Sequence, residues 1–212
     1  MVISSTLELE MNTARSEKIK EIALRVGAFL EGEYALSSGL KSNRYFEGKK
    51  VTLAPDGAYE VGKAIFDELI EIGVDAIGGL ATGAYPIVTA VALVSHQEGK
   101  PIPSFVVRED RKSHGTMRKI EGHLKKGSRV AIVDDVITSG GSVLKAIEAV
   151  EEVGCQVVKV IVIVDRHEGG SDELRRRKYD FTAILGYPAP REVAIDESSA
   201  STGEAKAGVL PR

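Results

Sequence analysis

One stretch decides the fold of this chain, Val130-Ala131-Ile132-Val133-Asp134-Asp135-Val136-Ile137-Thr138-Ser139-Gly140-Gly141-Ser142. The four apolar residues at its start are typical of a buried strand. Two carboxylates, Asp134 and Asp135, follow at the point where we expect this strand to end. A glycine-rich turn then leads to Ser142, which we expect to cap an amphipathic helix. The stretch therefore predicts a strand–turn–helix unit of an α/β sheet.

The residue types in this unit predict a binding site for a sugar phosphate. Ligands of open α/β sheets bind outside the carboxyl ends of the strands. Backbone amides of a small turn, backed by a helix N-terminus, bind phosphate, whereas carboxylates repel phosphate and accept hydrogen bonds from sugar hydroxyls. A P-loop is excluded because Ser142, and not lysine, follows the last glycine. A dinucleotide fingerprint is excluded because the turn holds one adjacent glycine pair instead of three spaced glycines.

The composition of the chain limits its class and its partners. Its 212 residues are 43% hydrophobic and 28% charged, which is typical of a globular protein with one sizeable core. The net charge of −3 predicts no nucleic-acid partner. The single cysteine, Cys155, allows no intrachain disulfide and favours a reducing cytoplasm. No apolar run reaches the roughly 18 residues of a membrane span, and the N-terminus does not resemble a secretory signal.

Hydrophobic periodicity predicts alternating strands and helices. The predicted helices cover residues 16–30, 57–72, 85–96, 142–153 and 172–178, and the predicted strands cover 75–79, 103–107, 129–133, 157–164 and 181–185. Shorter strand-like pieces occupy residues 34–53. This alternation predicts an α/β fold, a doubly wound and mostly parallel sheet flanked by helices.

The chain divides into a flexible N-terminus at residues 1–14, one domain at residues 15–187 and a loose tail at residues 188–212. Within the domain, residues 15–53 are expected to form an N-terminal helix and a small hood. The tail is rich in Pro, Ala, Ser, Glu and Gly, a composition that buries little apolar surface.

Residues 108–122 form a long polar segment between two predicted core strands, which is typical of a lid or a solvated loop. The side chains of Arg108, Lys112 and His114 suit a polyanion such as pyrophosphate. A second glycine-rich turn, at residues 78–86, offers further backbone amides, although such turns are common.

Two more segments carry side chains suited to a planar, negatively charged ring. Arg166 directly follows a predicted strand, where its guanidinium either binds a carboxylate or forms a salt bridge with Asp165 or Glu168. Tyr45 and Phe46 either stack on a planar ring or belong to a hairpin that buries one aromatic side chain.

Five segments have now been singled out: the one with Tyr45 and Phe46, residues 78–86, residues 108–122, residues 130–142 and the one with Arg166. In this chain order they resemble the orotate phosphoribosyltransferases, which are type I phosphoribosyltransferases that use phosphoribosyl pyrophosphate (PRPP). The resemblance runs from about Phe29 to Gly170. It implies that Asp134 and Asp135 accept the ribose hydroxyls and are catalytic together with Lys112. It also implies that the 5′-phosphate is wrapped by the turn residues Val136, Ile137, Thr138, Ser139, Gly140, Gly141 and Ser142.

The same resemblance implies roles for the remaining segments. Thr138, Arg166, Tyr45 and Phe46 would bind orotate. Arg108, Lys112 and His114 would contact PRPP from loop 108–122, which in the family reaches the neighbouring subunit's site, so a homodimer is implied. Mg²⁺ would be carried by PRPP and not bound directly by the protein.

The chain departs from the family pattern at three positions, and two other functions stay open. Glu109 stands where the family usually has lysine, Asn43 where it often has proline, and Gly83 where some members have lysine. Glu109 is expected to face pyrophosphate, or to turn outward or pair with Arg111 or Arg118.

A phosphoribosyltransferase for another base would share the phosphate motif, and a regulator that senses PRPP or nucleotides would share the fold.

Overall fold

A computed structural model describes the backbone of residues 2–35, 41–109 and 119–186, and the side chains in those ranges apart from residues 2–12, 31–35 and 41–44. The predicted tail at 188–212 and most of loop 108–122, including Lys112 and His114, lie outside the described residues. In chain order, the elements are α1 (Val2–Arg25), β1 (Phe29–Ala35), β2 (Lys41–Phe46), α2 (Gly48–Thr52), α3 (Pro55–Ile72), β3 (Ala76–Leu80), α4 (Ala84–Gln97), β4 (Ser104–Val107), β5 (Ile120–Gly122), β6 (Arg129–Ile137), α5 (Gly141–Glu152), β7 (Gln156–Asp165), α6 (Gly170–Arg176) and β8 (Phe181–Gly186).

The core of the molecule is a six-stranded sheet in the order β5-β4-β3-β6-β7-β8. All neighbours pair in parallel except β5, which runs antiparallel to β4 at the edge. Apolar side chains of α1, α3 and α4 pack on one face of the sheet, and those of α5 and α6 pack on the other. The predicted doubly wound, mostly parallel sheet flanked by helices is confirmed. None of the described helices combines the length and apolar character that crossing a bilayer requires.

A hood precedes the sheet, built from the antiparallel hairpin β1–β2 and the short helix α2. The predicted helix at 16–30 is wrong at both ends, because α1 begins at Val2 and ends at Arg25. Gly27 takes a left-handed φ of 64°, which stops the helix before β1 starts at Phe29. The helical turn at Gly48–Thr52 was expected to be strand-like. The flexibility of residues 1–14 stays a prediction.

Strand β6 is longer than its apolar run predicts. The ladder with β7 continues from Asp134 beside Val162 to Ile137 beside Asp165. Asp134 and Asp135 therefore lie in the last part of the strand and not beyond it. The expected cap is also wrong, because α5 begins at Gly141 after Gly140, whose φ is 84°, and no side chain caps it. The other predicted elements agree within one or two residues, except that the end of loop 108–122 forms β5.

Ion pairs with a buried carboxylate, Glu60 on α3, hold helix α1 against α3. Glu60 is 3% exposed, and its Oε2 accepts a hydrogen bond of 2.6 Å from Nη1 of Arg15. Lys18 donates to the other carboxylate oxygen of Glu60. Such a carboxylate is costly to desolvate, so it depends on both cations.

We predict that Glu60→Gln lowers the free energy of unfolding by about 1–3 kcal/mol, because the amide keeps the shape of the side chain but loses the charge that pairs with Arg15 and Lys18. Glu71→Gln is the matched control, since Glu71 lies on the same helix and is exposed. Urea unfolding followed by circular dichroism measures the difference. An equal loss in both variants would contradict a fastening role for Glu60.

Candidate active site

A cleft of 440 Å³ opens at the carboxyl ends of β3 and β6, where the hood meets the sheet. This is the edge at which parallel sheets bind ligands. The cleft is lined by Tyr45, Phe46, Lys49, Leu80, Ala81, Thr82, Gly83, Glu109, Asp134, Asp135, Val136, Thr138, Ser142 and Arg166. The structure thus brings together the hood, the glycine-rich turn after β3, the two carboxylates and Arg166, as the sequence predicts.

Two neighbouring carboxylates form the floor of the cleft. Asp134 is 6% exposed, and its Oδ1 accepts a hydrogen bond of 3.0 Å from the backbone N–H of Asp135. Burial, together with the charge of Asp135, raises the pKa of Asp134 well above its usual range. Burial also raises the pKa of Asp135, against the opposing effects of its hydrogen bond with Asp134 and the charge of Lys49. The two charges are therefore held at a cost, which hydroxyl donors of a ligand would reduce.

Two glycines let the backbone approach these carboxylates from two elements. A Cβ on Gly48, at the start of α2, would lie 2.6 Å from Oδ2 of Asp135. A Cβ on Gly83, in the turn after β3, would overlap Oδ1 of Asp134. Side chains at either position would displace the carboxylates, so both segments must be free of side chains there.

The turn at 138–142 forms a second, adjoining cavity of 250 Å³. The backbone N–H of Gly170 donates to the carbonyl of Thr138 at 2.8 Å, and that of Arg166 donates to the carbonyl of Ile137 at 3.1 Å. A Cβ on Gly170 would lie 2.7 Å from the backbone nitrogen of Gly140. The segment after β7 therefore holds the turn in shape at the N-terminus of α5, where backbone amides favour an anion.

Arg166 lies in the cleft with a side chain that is 4% exposed, and its Nη2 is 2.8 Å from Oε1 of Glu168. The salt bridge that the sequence offered as one alternative is therefore present. It also holds the guanidinium at the cleft wall, where the other alternative, a ligand carboxylate, requires it. The salt bridge and the predicted binding of a ligand carboxylate are therefore compatible with the same position of the Arg166 side chain.

The two aromatic residues of β2 differ in exposure. Phe46 is 2% exposed, and its ring centroid lies 5.0 Å from that of Phe29, so it packs mainly in the core. Tyr45 is 39% exposed and lines the cleft. The hairpin buries one aromatic side chain, as the plainer interpretation expects, and Tyr45 is the ring of the pair that offers a face to a ligand.

Arg108 and Glu109, the first two residues of loop 108–122, form ion pairs. Nη1 of Arg108 donates to Oε1 of Glu121 at 3.2 Å. Glu109 borders both cavities, and its Oε1 lies 3.6 Å from Nζ of Lys145 on α5. The partner of Glu109 is therefore Lys145, a residue that the sequence did not indicate. The expected partners Arg111 and Arg118 lie outside the described residues.

Lys49 was also missed from the sequence. Its Nζ donates to Oγ1 of Thr82 at 2.9 Å, and both side chains line the cleft. No local signal marked Lys49, because its segment was expected to be strand-like and only the tertiary packing of α2 brings it to β6.

Among the side chains that the structure describes, no cluster of three or more His, Cys, Asp or Glu residues could hold a metal ion. Two adjacent carboxylates are present at the cleft floor. Mg²⁺ is usually bound by one or two carboxylates together with substrate phosphates, so this donor set fits an ion that arrives with a phosphorylated ligand.

Comparison with known proteins agrees with this geometry. Residues 56–185 match the family model described as the phosphoribosyl transferase domain. An orotate phosphoribosyltransferase of Aquifex aeolicus is 44% identical over 158 residues, which cover 74% of this chain and 85% of the relative. One of Synechocystis is 38% identical over 179 residues, which cover 82% and 90%.

A solved structure shows the same fold. The crystal structure of Mycobacterium tuberculosis orotate phosphoribosyltransferase in complex with PRPP superimposes with a TM-score of 0.65. It is 30% identical and covers 81% of this chain and 95% of that chain. Sequence and structure agree on one assignment: the chain belongs to the orotate phosphoribosyltransferases, a family built on the phosphoribosyl transferase domain.

Proposed function

We propose that this protein transfers the ribose 5-phosphate group of PRPP to orotate, giving orotidine 5′-monophosphate and pyrophosphate in pyrimidine biosynthesis. The observation that carries the proposal is that the buried Asp134, the half-buried Asp135, the phosphate-binding turn and Arg166 share one cleft. The relatives named orotate phosphoribosyltransferase support the reaction and the choice of base.

The cleft accommodates PRPP in one direction. Residues 138–142 bind the 5′-phosphate through backbone amides and the hydroxyls of Thr138 and Ser142. Asp134 and Asp135 accept hydrogen bonds from the ribose hydroxyls, which relieves the cost of their burial. Orotate lies between Tyr45 and Arg166, with its carboxylate on the guanidinium of Arg166.

The reaction breaks the bond between C1′ of the ribose and pyrophosphate. The electron pair of that bond leaves with pyrophosphate, a ring nitrogen of orotate bonds to C1′, and the proton of that nitrogen is released to solvent. The ribose carries positive charge in the transition state, which the ionised Asp134 and Asp135 stabilise from a pre-formed position. Mg²⁺, when bound with PRPP, neutralises negative charge on the pyrophosphate.

Loop residues Arg108, Lys112 and His114 complete the proposal as cations that bind pyrophosphate. In the described structure, Arg108 pairs with Glu121, and this pair must open for the guanidinium to reach a ligand. Glu109 is held by Lys145 beside the phosphate turn, so its charge is offset by an ammonium there. A cytoplasmic location, which the single cysteine favours, belongs to the same proposal.

We further propose that two copies of the chain form the active unit. Tyr85, Thr89 and Leu93 recur at four-residue spacing on α4, and Tyr85 and Leu93 are 41% and 59% exposed. This apolar face begins directly after the turn at Thr82–Gly83 that lines the cleft. A second copy packed on it would stand next to the cleft and could place its loop 108–122 there.

The proposed reaction is tested by supplying PRPP and Mg²⁺ with orotate, uracil, adenine, hypoxanthine or guanine and measuring pyrophosphate release. We expect turnover with orotate and little with the other bases, since they lack the carboxylate that binds Arg166. Arg166→Gln should raise the KM for orotate by about tenfold or more while leaving PRPP binding intact. Equal turnover of uracil and orotate would contradict the proposal, as would PRPP binding without turnover of any base.

We predict that Asp134→Asn weakens PRPP binding by about ten- to a hundredfold, because one charged acceptor of a ribose hydroxyl is lost. The same change should raise the melting temperature of the ligand-free protein at neutral pH. Because burial raises the pKa of Asp134 above its unfolded value, the folded state holds the proton more tightly, and stability falls as the pH rises above about 4.

The stability gain of Asp134→Asn should therefore shrink as the pH is lowered towards about 4, where the wild-type carboxyl is protonated as well. Calorimetric titration and thermal scans across this pH range measure both effects. Asp172→Asn is the control, since that side chain is 82% exposed. Unchanged PRPP affinity, or a lower melting temperature at every pH, would show that the Asp134 carboxylate has another role.

The two-copy site predicts complementation. Lys112→Ala and Asp135→Asn should each abolish most activity, because one removes a loop cation and the other a ribose acceptor. When the two chains are mixed and allowed to exchange, one of the two sites in each hybrid has both residues intact, so part of the activity should return. Native mass spectrometry verifies that hybrids form. Confirmed hybrids without recovered activity would mean that each site is built from one chain.

A further inference from the structure

Lys49 is a positively charged residue of the cleft to which the proposed reaction has so far given no role. It lies on α2, whose first residue, Gly48, approaches Asp135 so closely that a Cβ there would meet the carboxylate. The ammonium donates to Oγ1 of Thr82 at 2.9 Å. The charge is thus held between the hood and the turn after β3 on an element packed against the carboxylates.

The order of the binding groups along the cleft says which part of a ligand this ammonium meets. The phosphate turn at 138–142 follows the carboxylates on one side. That turn is held by the segment after β7, whereas Gly83, after β3, and Gly48, on α2, approach the carboxylates; β7 and β3 flank β6 on opposite sides. PRPP carries phosphate on C5′ and diphosphate on C1′. With the 5′-phosphate on the turn and the hydroxyls on Asp134 and Asp135, the diphosphate extends towards Thr82 and Lys49.

The turn after β3 carries no cation of its own, because Gly83 stands where some family members have lysine. A Cβ on Gly83 would overlap Oδ1 of Asp134 and lie 2.9 Å from Oδ1 of Asp135. Any longer side chain at this position would move the carboxylates that bind ribose. Besides Mg²⁺ and the loop cations of the proposed function, a positive charge at this end of the cleft comes from α2, through Lys49.

Charge balance supports the same assignment. The pKa values of both carboxylates are raised by burial, and the charge of Lys49 makes this rise smaller. A diphosphate beside two ionised carboxylates would be repelled unless nearby cations, Mg²⁺ among them, offset these charges. The Lys49 ammonium, held on Thr82 at the cleft wall, is already in place to attract the diphosphate.

We infer that Lys49 binds the diphosphate of PRPP beside the Thr82–Gly83 turn, an inference that rests on the proposed function. In this position it also stabilises the negative charge that pyrophosphate gains when its bond to C1′ breaks.

The test compares two ligands that differ only in the diphosphate, PRPP and ribose 5-phosphate, each with Mg²⁺ in calorimetric titrations. Lys49→Gln should weaken PRPP binding by about ten- to a hundredfold and leave ribose 5-phosphate binding unchanged. Lys49→Arg should recover part of the PRPP affinity. Lys50→Gln is the matched control, because Lys50 is the next residue on α2 but donates to the carbonyl of Gly27.

Unchanged PRPP affinity in Lys49→Gln would overturn the inference, and so would an equal loss for both ligands, which would assign Lys49 to the carboxylates or the hood alone. Lys49→Met, which keeps the aliphatic stem, takes the place of Lys49→Gln if thermal scans show that the amide variant is unfolded. Wild-type protein that fails to bind PRPP or to use orotate would contradict the proposed function and not the role of Lys49 within it.

Discussion

Two adjacent carboxylates at the end of β6, the buried Asp134 and the half-buried Asp135, are the constraint around which the cleft is arranged. Asp134 and Asp135 continue the strand, so their positions follow from its ladder with β7. In this chain, glycine at positions 48 and 83 leaves room for the carboxylates, since a Cβ at either position would overlap one of them as they are placed. Because α2 and the turn after β3 both approach the carboxylates closely, the hood lies over this edge of the sheet and forms one wall of the cleft.

The same pair makes the cleft electrostatically unfavourable without a ligand. Burial and mutual repulsion raise the pKa of Asp134, and the nearby charge of Lys49 offsets this only in part. In our proposal, a ribose whose hydroxyls donate to both carboxylates relieves that cost. Its phosphate groups then meet backbone amides at one end and the Lys49 ammonium at the other. The proposed ligand-binding carboxylates therefore occupy positions where neutral side chains would make the ligand-free fold more stable.

The sequence predicts the sheet well because apolar runs alternate with amphipathic helices, and each run is buried on both faces. It predicts the position of Asp134 and Thr138 in the cleft for the same reason, since both belong to one strand–turn–helix unit. It fails at Lys49 and Lys145, whose roles depend on which elements pack together. Glu109 illustrates the limit: its charge was evident, but its partner lies 36 residues away on α5 and is found only in the folded chain.

The central claim is that the carboxylate pair binds the ribose of PRPP between two phosphate-binding ends. A crystal structure of the protein with PRPP and Mg²⁺ tests it most directly. The account predicts ribose hydroxyl oxygens within about 2.5–3.0 Å of the carboxylates of Asp134 and Asp135, with the 5′-phosphate on the amides of residues 138–142. Ribose bound away from both carboxylates, or a 5′-phosphate bound at Arg166 instead of the turn, would contradict it.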